Sequence, residues 1–324
     1  MADVTMAQAL NRALRDSLAG DDRVLILGED IGKLGGVFRI TDGLQAEFGE
    51  QRVFDTPLAE AAIAGVSLGL TQAGWKPVCE MQFDAFSYPA LDQVISHIAK
   101  YRYRSKGTTG VPMVMRIPFG GGIGAAEHHS ESPETYYAHT SGLKVVVPSS
   151  ALDAYNLLVR SVQDPDPVIF FEPKSRYWAK ESGDLAAEGA PIGQARVLKE
   201  GQHATLIAWG AMVSRCLDAA EAAGEDGVDV EVLDLRSLVP LDIETLAASV
   251  QKTGRAVVVH EAPMTAGFGA EVVARIMEDC FDHLEAPALR VTGYDMPYPP
   301  ATLEEHYLPN VDRILLALDA VLTH

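Results

Sequence analysis

Short apolar runs recur along the first 185 residues of the chain, and each of them ends near glycine, aspartate or proline. They read RVLILGED, PVCEMQF, PMVMRIPFGGG, LKVVVPSS and PVIFFEP. Helical patterns such as TPLAEAAIAGVSLGLTQAG and SALDAYNLLVRSVQD lie between several of them. Because apolar strands that alternate with helices usually pair in parallel, this pattern predicts a parallel sheet covered on both faces.

A second set of runs, ATLIAWG, VDVEVLDLRS, RAVVVHEAP and PALRVTGYD, repeats this alternation nearer the C-terminus. The segment 174–193 between the two sets is polar and rich in Gly and Ala, which is typical of a linker. The chain therefore predicts an α/β protein with two open, mostly parallel, three-layer α/β/α domains. We expect these domains to span residues 1–185 and 190–324.

Two helix starts can be predicted from local patterns. Thr5 and Gln8 form a capping-box pair, and the apolar residues that follow share one face of an amphipathic helix. The stretch FDTPLAEAAIAG predicts a second helix, with Thr56 as its N-cap and Pro57 in the first helical position. Glu60 would then lie in the first turn.

Glu60 stands in a helix that is otherwise made almost entirely of small and aliphatic residues. The helix dipole alone would favour a carboxylate in a first turn. The small residues, however, allow another backbone or a flat ligand to approach closely, and they predict burial. A buried carboxylate needs a partner or becomes protonated.

Composition limits the possible function classes. The chain has 324 residues and is 48% hydrophobic, which suits two cores. No apolar run reaches the roughly 18 residues of a transmembrane helix, and the N-terminus lacks a signal-peptide pattern. Cys79, Cys216 and Cys280 lie far apart in apolar surroundings, so we expect neither disulfides nor a metal site, and a cytoplasmic location.

The net charge of −19 argues against nucleic-acid binding. Residues 190–324 are the more acidic part, with 9 basic and 21 acidic side chains. This excess is explained either by solubility alone or by a basic protein partner for the C-terminal domain.

The segment FGGGIGAAEHHSESPETYYAHT places a glycine-rich loop after a strand, where open α/β sheets bind ligands. It lacks the Lys-Ser/Thr of a phosphate loop, and Glu127-His128-His129 lacks the spacing of a helical zinc site. One of the two histidines is a candidate acid–base group. His260-Glu261 in VVVHEAP is likewise not a His-Glu-x-x-His motif.

Longer motifs, in order along nearly the whole chain, resemble the β subunit of the thiamine-diphosphate-dependent 2-oxoacid dehydrogenase component. They include LGEDIGKLGGVFRITDGLQAEFG, VFDTPLAE, EMQFDAF, AKYRYRS, HHSESPETYYAHTSGLKVVVPS, PVIFFEPK and LEAPALRVTGYDMPYP. This component decarboxylates pyruvate or branched-chain 2-oxoacids. The resemblance implies a transketolase-like fold, with a pyrimidine-binding domain followed by a smaller C-terminal α/β domain.

The resemblance also implies roles for individual residues. Glu60 would hydrogen-bond a nitrogen of the cofactor's aminopyrimidine ring and favour its imino tautomer. Leu58 would pack beside the cofactor, Gln82 would be a polar neighbour of the pyrimidine, and Phe86 would stack on it. His129 would donate a proton when the acyl group passes to lipoamide, and the adjacent His128 leaves open which histidine does so.

A structural potassium site is implied as well. It would use backbone carbonyls together with two carboxylates, namely Val111, Met113, Val114, Ser161, Asp164 and Asp166. Acidic side chains suit a hard cation, but Asp-Pro pairs also simply form turns.

The chain has no Gly-Asp-Gly motif followed by Asn, the arrangement by which thiamine-diphosphate enzymes hold Mg²⁺ and the diphosphate. The resemblance implies that an α subunit holds this half of the site, in an α₂β₂ heterotetramer that docks a lipoyl-bearing acyltransferase core. We expect a branched-chain 2-oxoacid as substrate, with pyruvate or acetoin dehydrogenase as the alternative. A non-catalytic scaffold subunit is the alternative of another class.

Overall fold

The computed structural model describes residues 3–183, 185 and 189–324, and its strands in these ranges form three sheets. The strands are β1 (Asp3–Thr5), β2 (Val24–Gly28), β3 (Val53–Asp55), β4 (Lys76–Glu80), β5 (Val114–Phe119), β6 (Lys144–Val146), β7 (Val168–Pro173), β8 (Lys180–Ser182), β9 (Arg196–Lys199), β10 (Ala204–Ala208), β11 (Val230–Asp234), β12 (Ser237–Val239), β13 (Ala256–Pro263) and β14 (Leu289–Gly293).

The α-helices are α1 (Met6–Gly20), α2 (Leu44–Phe48), α3 (Glu60–Gln72), α4 (Leu91–Gln93), α5 (Tyr101–Arg104), α6 (Glu134–Ala138), α7 (Ala151–Gln163), α8 (Met212–Glu225), α9 (Ile243–Thr253), α10 (Gly269–Cys280), α11 (Glu304–Tyr307) and α12 (Val311–Leu322). Short 3₁₀ turns occur at Ala85–Ala90, Glu127–His129, Lys174–Arg176, Phe281–His283 and Ala301–Leu303, with a π turn at Val94–Ile98. None of the helices within the described ranges has the length and apolar character needed to cross a bilayer.

The large sheets confirm the predicted fold class. A seven-stranded sheet has the order β12-β6-β7-β5-β4-β2-β3 and is parallel except for β12. A five-stranded sheet has the order β14-β13-β10-β11-β9 and is parallel except for β9. Both antiparallel strands lie at sheet edges, so the interior of each sheet is parallel.

Alternation along the strands distributes the core over both faces of the seven-stranded sheet. Val24 and Ile26 of β2 join the apolar cluster under α1 and α7, whereas Leu25 and Leu27 join the cluster on the opposite face. That second cluster also contains Ile207 and other residues of the five-stranded sheet. The two sheets therefore share the cluster that lies between them, while each has a further cluster on its other face.

Local signals have mixed outcomes. The capping box of α1 is confirmed, since Gln8 N donates to Thr5 Oγ1 at 3.2 Å and Thr5 N to Gln8 Oε1 at 3.0 Å. In the predicted linker 174–193, β8 pairs with β1, while positions 184 and 186–188 lie outside the described residues. No pattern in the sequence indicated that β12, which follows β11, would pair with β6 of the seven-stranded sheet.

A buried carboxyl group joins the two sheets. Glu134 of α6 is fully buried, and its Oε1 accepts a hydrogen bond from Trp209 Nε1 at 3.3 Å. The Trp209 ring stacks on His260 with 5.2 Å between ring centroids. Glu134 Oε2 has no partner among the described residues. Burial, reinforced by the charge of Glu261, therefore raises the pKa of Glu134 to about 8.

We predict that the stability of the Glu134→Gln variant falls less with rising pH than the stability of the parent. Because the pKa of Glu134 is raised in the folded state, the native protein keeps a proton that the unfolded chain loses, and stability falls between about pH 5 and about pH 8. The variant lacks this titration, so its melting temperature should rise relative to the parent across that window. Melting curves that differ by the same amount at every pH would contradict the assignment.

Candidate active site

Four neighbouring parallel strands, β3, β2, β4 and β5, end at the same edge of the seven-stranded sheet. Glu29 directly follows β2, Glu60 begins the helix after β3, Gln82 follows β4, and His129 lies at the end of the loop after β5. Parallel pairing thus brings residues that are up to 100 positions apart in the sequence to one edge. This edge is where open α/β sheets bind their ligands.

Glu60 is the first residue of α3. The predicted cap is wrong: Ala59 is the N-cap and makes no side-chain capping bond, and Thr56 instead continues from β3 by donating its N–H to Gly28 O at 2.9 Å. Glu60 is therefore nearer to the N-terminus of α3 than the predicted cap at Thr56 and the predicted first residue at Pro57 would place it. The free N–H groups of the first turn favour a negative charge there.

The small-residue face of α3 is not buried within this chain. Leu58 is 79% exposed and Val66 54% exposed, and Ala62 and Gly69 lie on the same exposed side. Glu60 itself is half-buried. Within this chain, the predicted burial of this face is therefore wrong.

Glu29 is a site residue that sequence reasoning missed. It is buried beside Glu60, and its Oε1 has no partner among the described residues. Burial raises the pKa of Glu29, and the charges of Glu60 and Asp30 raise it further. The sequence feature that could have identified Glu29 is its position immediately after the apolar run RVLILG. Gln82, on the next strand, donates from Nε2 to Asp30 Oδ2 at 3.0 Å.

Aromatic rings surround His129. Its ring centroid lies 4.0 Å from that of Phe83 and 5.2 Å from that of Phe86, both edge-on. His129 Nδ1 is buried without a partner among the described residues. Burial lowers the pKa of His129, and the positive charges of His128 and Lys174 lower it further. His129 is therefore a neutral imidazole with an unused ring nitrogen.

His128 and His129 differ in their surroundings. His128 is exposed, its ring stacks on Phe86 at 6.1 Å, and its Nδ1 lies 3.4 Å from Glu127 Oε1. In the part of the chain that the structure describes, no three His, Cys, Asp or Glu side chains are grouped as metal ligands. Of the two histidines, only His129 contacts both Phe83 and Phe86.

Carboxylates from the second domain hold the glycine-rich loop that leads to His129. Glu261, at the end of β13, accepts from Gly121 N at 2.8 Å. Glu304 of α11 accepts from Gly122 N at 2.8 Å and from Gly124 N at 3.0 Å. These backbone N–H groups are thus already engaged and are not free to bind a phosphate.

Close packing explains why this loop is rich in glycine. Gly120 has φ = +81°, in the left-handed region that favours glycine. A Cβ added to Gly121 would lie 1.9 Å from Tyr298 Oη, which itself donates to Glu304 at 2.7 Å. The sequence showed four glycines but not the distant Glu261 and Tyr298, which lie close to Gly120 and Gly121.

A buried ion pair lies behind Phe83. Lys174 follows β7, its Nζ pairs with Asp84, and both side chains are fully buried. The same Nζ lies 5.5 Å from the centroid of the Phe83 ring. This pair, also missed from the sequence, anchors the ring that contacts His129.

The residues of the implied potassium site lie at the opposite edge of the sheet, where β5 and β7 begin. The two segments are adjacent, since Val111 N donates to Pro165 O at 3.1 Å. Their carboxylates are already paired: Asp164 Oδ2 lies 2.6 Å from Lys144 Nζ, and Asp166 pairs with Arg102. A cation there would depend mainly on the backbone oxygens of Val111, Met113, Val114 and Ser161.

Two family models match the chain. Residues 2–179 match the transketolase pyrimidine-binding domain, and residues 193–314 match the transketolase C-terminal domain. In its fold, the chain is similar to a solved split-gene transketolase, described as an inactive β4 tetramer. The TM-score is 0.83 at 23% identity, with 99% of each chain covered.

Close relatives carry names of 2-oxoacid dehydrogenase subunits. The chain is 53% identical to the 3-methyl-2-oxobutanoate dehydrogenase subunit beta of Mycobacterium tuberculosis, covering 98% of this chain and 92% of the relative. It is 52% identical to the pyruvate dehydrogenase E1 component subunit beta of Leifsonia xyli, covering 98% and 95%. Identity is 44% with the 2-oxoisovalerate dehydrogenase subunit beta of Pseudomonas aeruginosa, covering 99% and 96%.

These matches extend over both domains and nearly the full length of the relatives. They agree with an acidic and aromatic site at the edge where α/β sheets bind ligands. The chain belongs to the transketolase-like β subunits of the 2-oxoacid dehydrogenase E1 component.

Proposed function

We propose that this chain is the β half of a thiamine-diphosphate-dependent enzyme that decarboxylates a branched-chain 2-oxoacid and acylates lipoyl groups. The observation that supports the proposal is that Glu60, Glu29 and His129 lie at one edge of the sheet. Glu29 and His129 each have a buried polar atom that lacks a partner among the described residues. A scaffold subunit would have no need for such unpaired groups, which destabilise the fold.

The residues at this edge fit the aromatic head of the cofactor. Phe86 offers a ring face, the exposed Leu58 offers an apolar contact, and Gln82 offers an amide. Glu60 offers a carboxylate at a helix N-terminus. When bound, thiamine diphosphate supplies the carbon nucleophile and the electron sink for decarboxylation.

In this proposal, Glu60 stabilises a proton that is bound to a ring nitrogen of the cofactor. At the first position of α3, its side chain accepts a hydrogen bond from a protonated nitrogen. Glu29, whose pKa is raised by burial and by the charge of Glu60, lies beside it.

His129 is the proposed acid–base group on the substrate side. Because its pKa is lowered, the ring is neutral at pH 7 and first accepts a proton, which it then donates as the acyl group is transferred. Phe83 and Phe86 fix the ring plane and exclude water. His128, being exposed, is the less suited of the two histidines.

The exposed face of α3 supports an active site shared with another chain. Leu58 and Val66 leave apolar surface in water, which an α subunit would cover. We propose that this α subunit holds the diphosphate and Mg²⁺, and that the assembly is an α₂β₂ heterotetramer. The acidic residues 190–324 would dock the lipoyl-bearing acyltransferase core.

Further parts of the assignment are proposals of the same kind. We place the domain boundary between residues 185 and 190 and the protein in the cytoplasm. The branched-chain preference is supported by the names of the relatives from M. tuberculosis and P. aeruginosa. Pyruvate is the second candidate because the L. xyli relative is nearly as similar.

We predict that Glu60→Gln lowers kcat by about 10²–10⁴-fold, the usual size of an acid–base contribution, while the fold is retained. The amide keeps the shape but lacks the negative charge that stabilises a protonated ring nitrogen. Decarboxylation is measured with 2-oxoisovalerate and with pyruvate after co-expression with an α subunit. Glu47→Gln, an exposed change on α2, serves as the control. Turnover within twofold or so of the control would refute the role of Glu60.

We predict that Glu304→Ala loosens the loop that carries His129. Loss of a charged acceptor should speed hydrogen exchange at Gly122 and Gly124 by roughly 10- to 100-fold and lower kcat. Glu305→Ala removes the neighbouring exposed carboxylate, which reaches only Arg215 at 3.7 Å, and should leave both unchanged. Equal exchange rates in the two variants would mean that Glu304 does not hold the loop.

We propose a weak potassium site built mainly from the carbonyl oxygens of Val111, Met113, Val114 and Ser161, since the Asp164 and Asp166 side chains already pair with Lys144 and Arg102. Replacing K⁺ by Na⁺ at constant ionic strength should then lower the melting temperature, because a bound ion stabilises the native state. Identical melting curves in the two salts would remove the site from the account.

A further inference from the structure

A cavity of about 300 Å³ lies between the two domains, apart from the residues of the candidate active site. The first domain contributes Ser150, Arg176 and Lys180 to its wall, and the second contributes Arg196 and Ser214. Three cationic side chains therefore meet in a cleft of a chain whose net charge is −19.

The guanidinium group of Arg176 has no polar partner among the described residues. The side chain makes no hydrogen bond or ion pair with any described residue, and its Nε is buried. Burial lowers the pKa of Arg176, and the more distant charges of Glu181 and Asp218 only partly offset this effect. Since a desolvated cation costs free energy, an unpaired one in a cavity indicates a place for an anion.

Arg196 faces the same cavity from the other domain. Its Nε is also buried without a partner among the described residues. Its one ion pair with a described residue is 3.4 Å long, to Asp153, which already pairs with the buried Arg236 at 2.8 Å. Because Arg236 competes for that carboxylate, Arg196 retains donors that a ligand can use.

The acidic side chain that lines the cavity, Glu181, does not compensate for these cations. Its Oε2 accepts hydrogen bonds from Ala151 N at 2.8 Å and Leu152 N at 3.3 Å, at the start of α7. Glu181 therefore neutralises the helix N-terminus rather than the two arginines. Within the described residues, the wall of the cavity keeps an excess of positive charge.

We propose that this interdomain cavity binds one small oxyanion, a phosphate- or carboxylate-bearing metabolite, between the guanidinium groups of Arg176 and Arg196. Planar guanidinium groups match the oxygen pairs of both anion types. The volume of the cavity is at the lower end of the range for small-molecule pockets. The ligand is therefore small, and a nucleotide is too large for this cavity. Because the two arginines belong to different domains, the bound anion bridges the domains and stabilises their packing.

The test is calorimetric titration of the full chain, in complex with its α subunit, with inorganic phosphate and separately with malonate at constant ionic strength. We expect saturable binding of at least one of them at one site per chain. Binding of phosphate alone identifies a phosphate ligand, binding of malonate alone a carboxylate, and both outcomes support the site. No saturable binding of either anion overturns the proposal.

Variants assign the site to its residues. Arg176→Gln and Arg196→Gln should each weaken binding by about tenfold or more, the effect of losing one charge-assisted contact. Arg176→Lys should lie between the parent and Arg176→Gln. Arg12→Gln, an exposed change on α1 that pairs only with Asp16, should bind as the parent does. Equal affinity in Arg176→Gln and Arg12→Gln would overturn the assignment.

Stability without anion separates a ligand-binding role of Arg176 from a structural one. Since Arg176 has no partner among the described residues, Arg176→Gln should melt at the same temperature as the parent or higher in anion-free buffer. When the anion that binds in the titration is added, the melting temperature should rise strongly for the parent but not for Arg176→Gln. A lower melting temperature of Arg176→Gln without anion would show that the residue serves the fold instead.

Discussion

Parallel pairing of β3, β2, β4 and β5 is the constraint on which the rest of the structure depends. It places every residue that follows one of these strands at the same edge. It therefore brings the segments that carry Glu29, Glu60, Gln82 and His129 to one edge. The price in stability is visible at the same edge, where Glu29 Oε1 and His129 Nδ1 are buried without partners among the described residues. Such unpaired groups are expected where a ligand completes the site.

The second domain contributes to this edge without lying in the same sheet. Glu261 and Glu304 hold the glycine-rich loop through its backbone N–H groups, and Tyr298 fills the space that a side chain at Gly121 would need. The position of His129 therefore depends on contacts between the domains as well as on β5. β12, which pairs with β6 across the sequence boundary, ties the domains together in the same way.

The alternation of apolar runs with helical patterns was enough to predict the two parallel sheets, because strands separated by helices usually pair in parallel. The capping box of α1 could be predicted because it depends only on Thr5 and Gln8, three residues apart. The same local reasoning placed the cap of α3 at Thr56, but β3 and its continuation hold that residue, and the helix begins at Glu60. Glu29 and Glu304 could not be assigned roles, since the site groups beside them, Glu60 and the backbone of Gly124, are distant in the sequence. The face of α3 that was predicted to be buried lies open within this chain, where Val66 is 54% exposed.

The central claim is that this chain supplies only the half of the site that receives the aromatic head of the cofactor. The most direct test is calorimetric titration of thiamine diphosphate with Mg²⁺, first into the purified chain and then into its complex with an α subunit. The account predicts saturable binding, at one site for each chain, in the complex and very weak binding to the chain alone. Tight binding by the single chain would contradict it, because this chain would then hold the diphosphate as well.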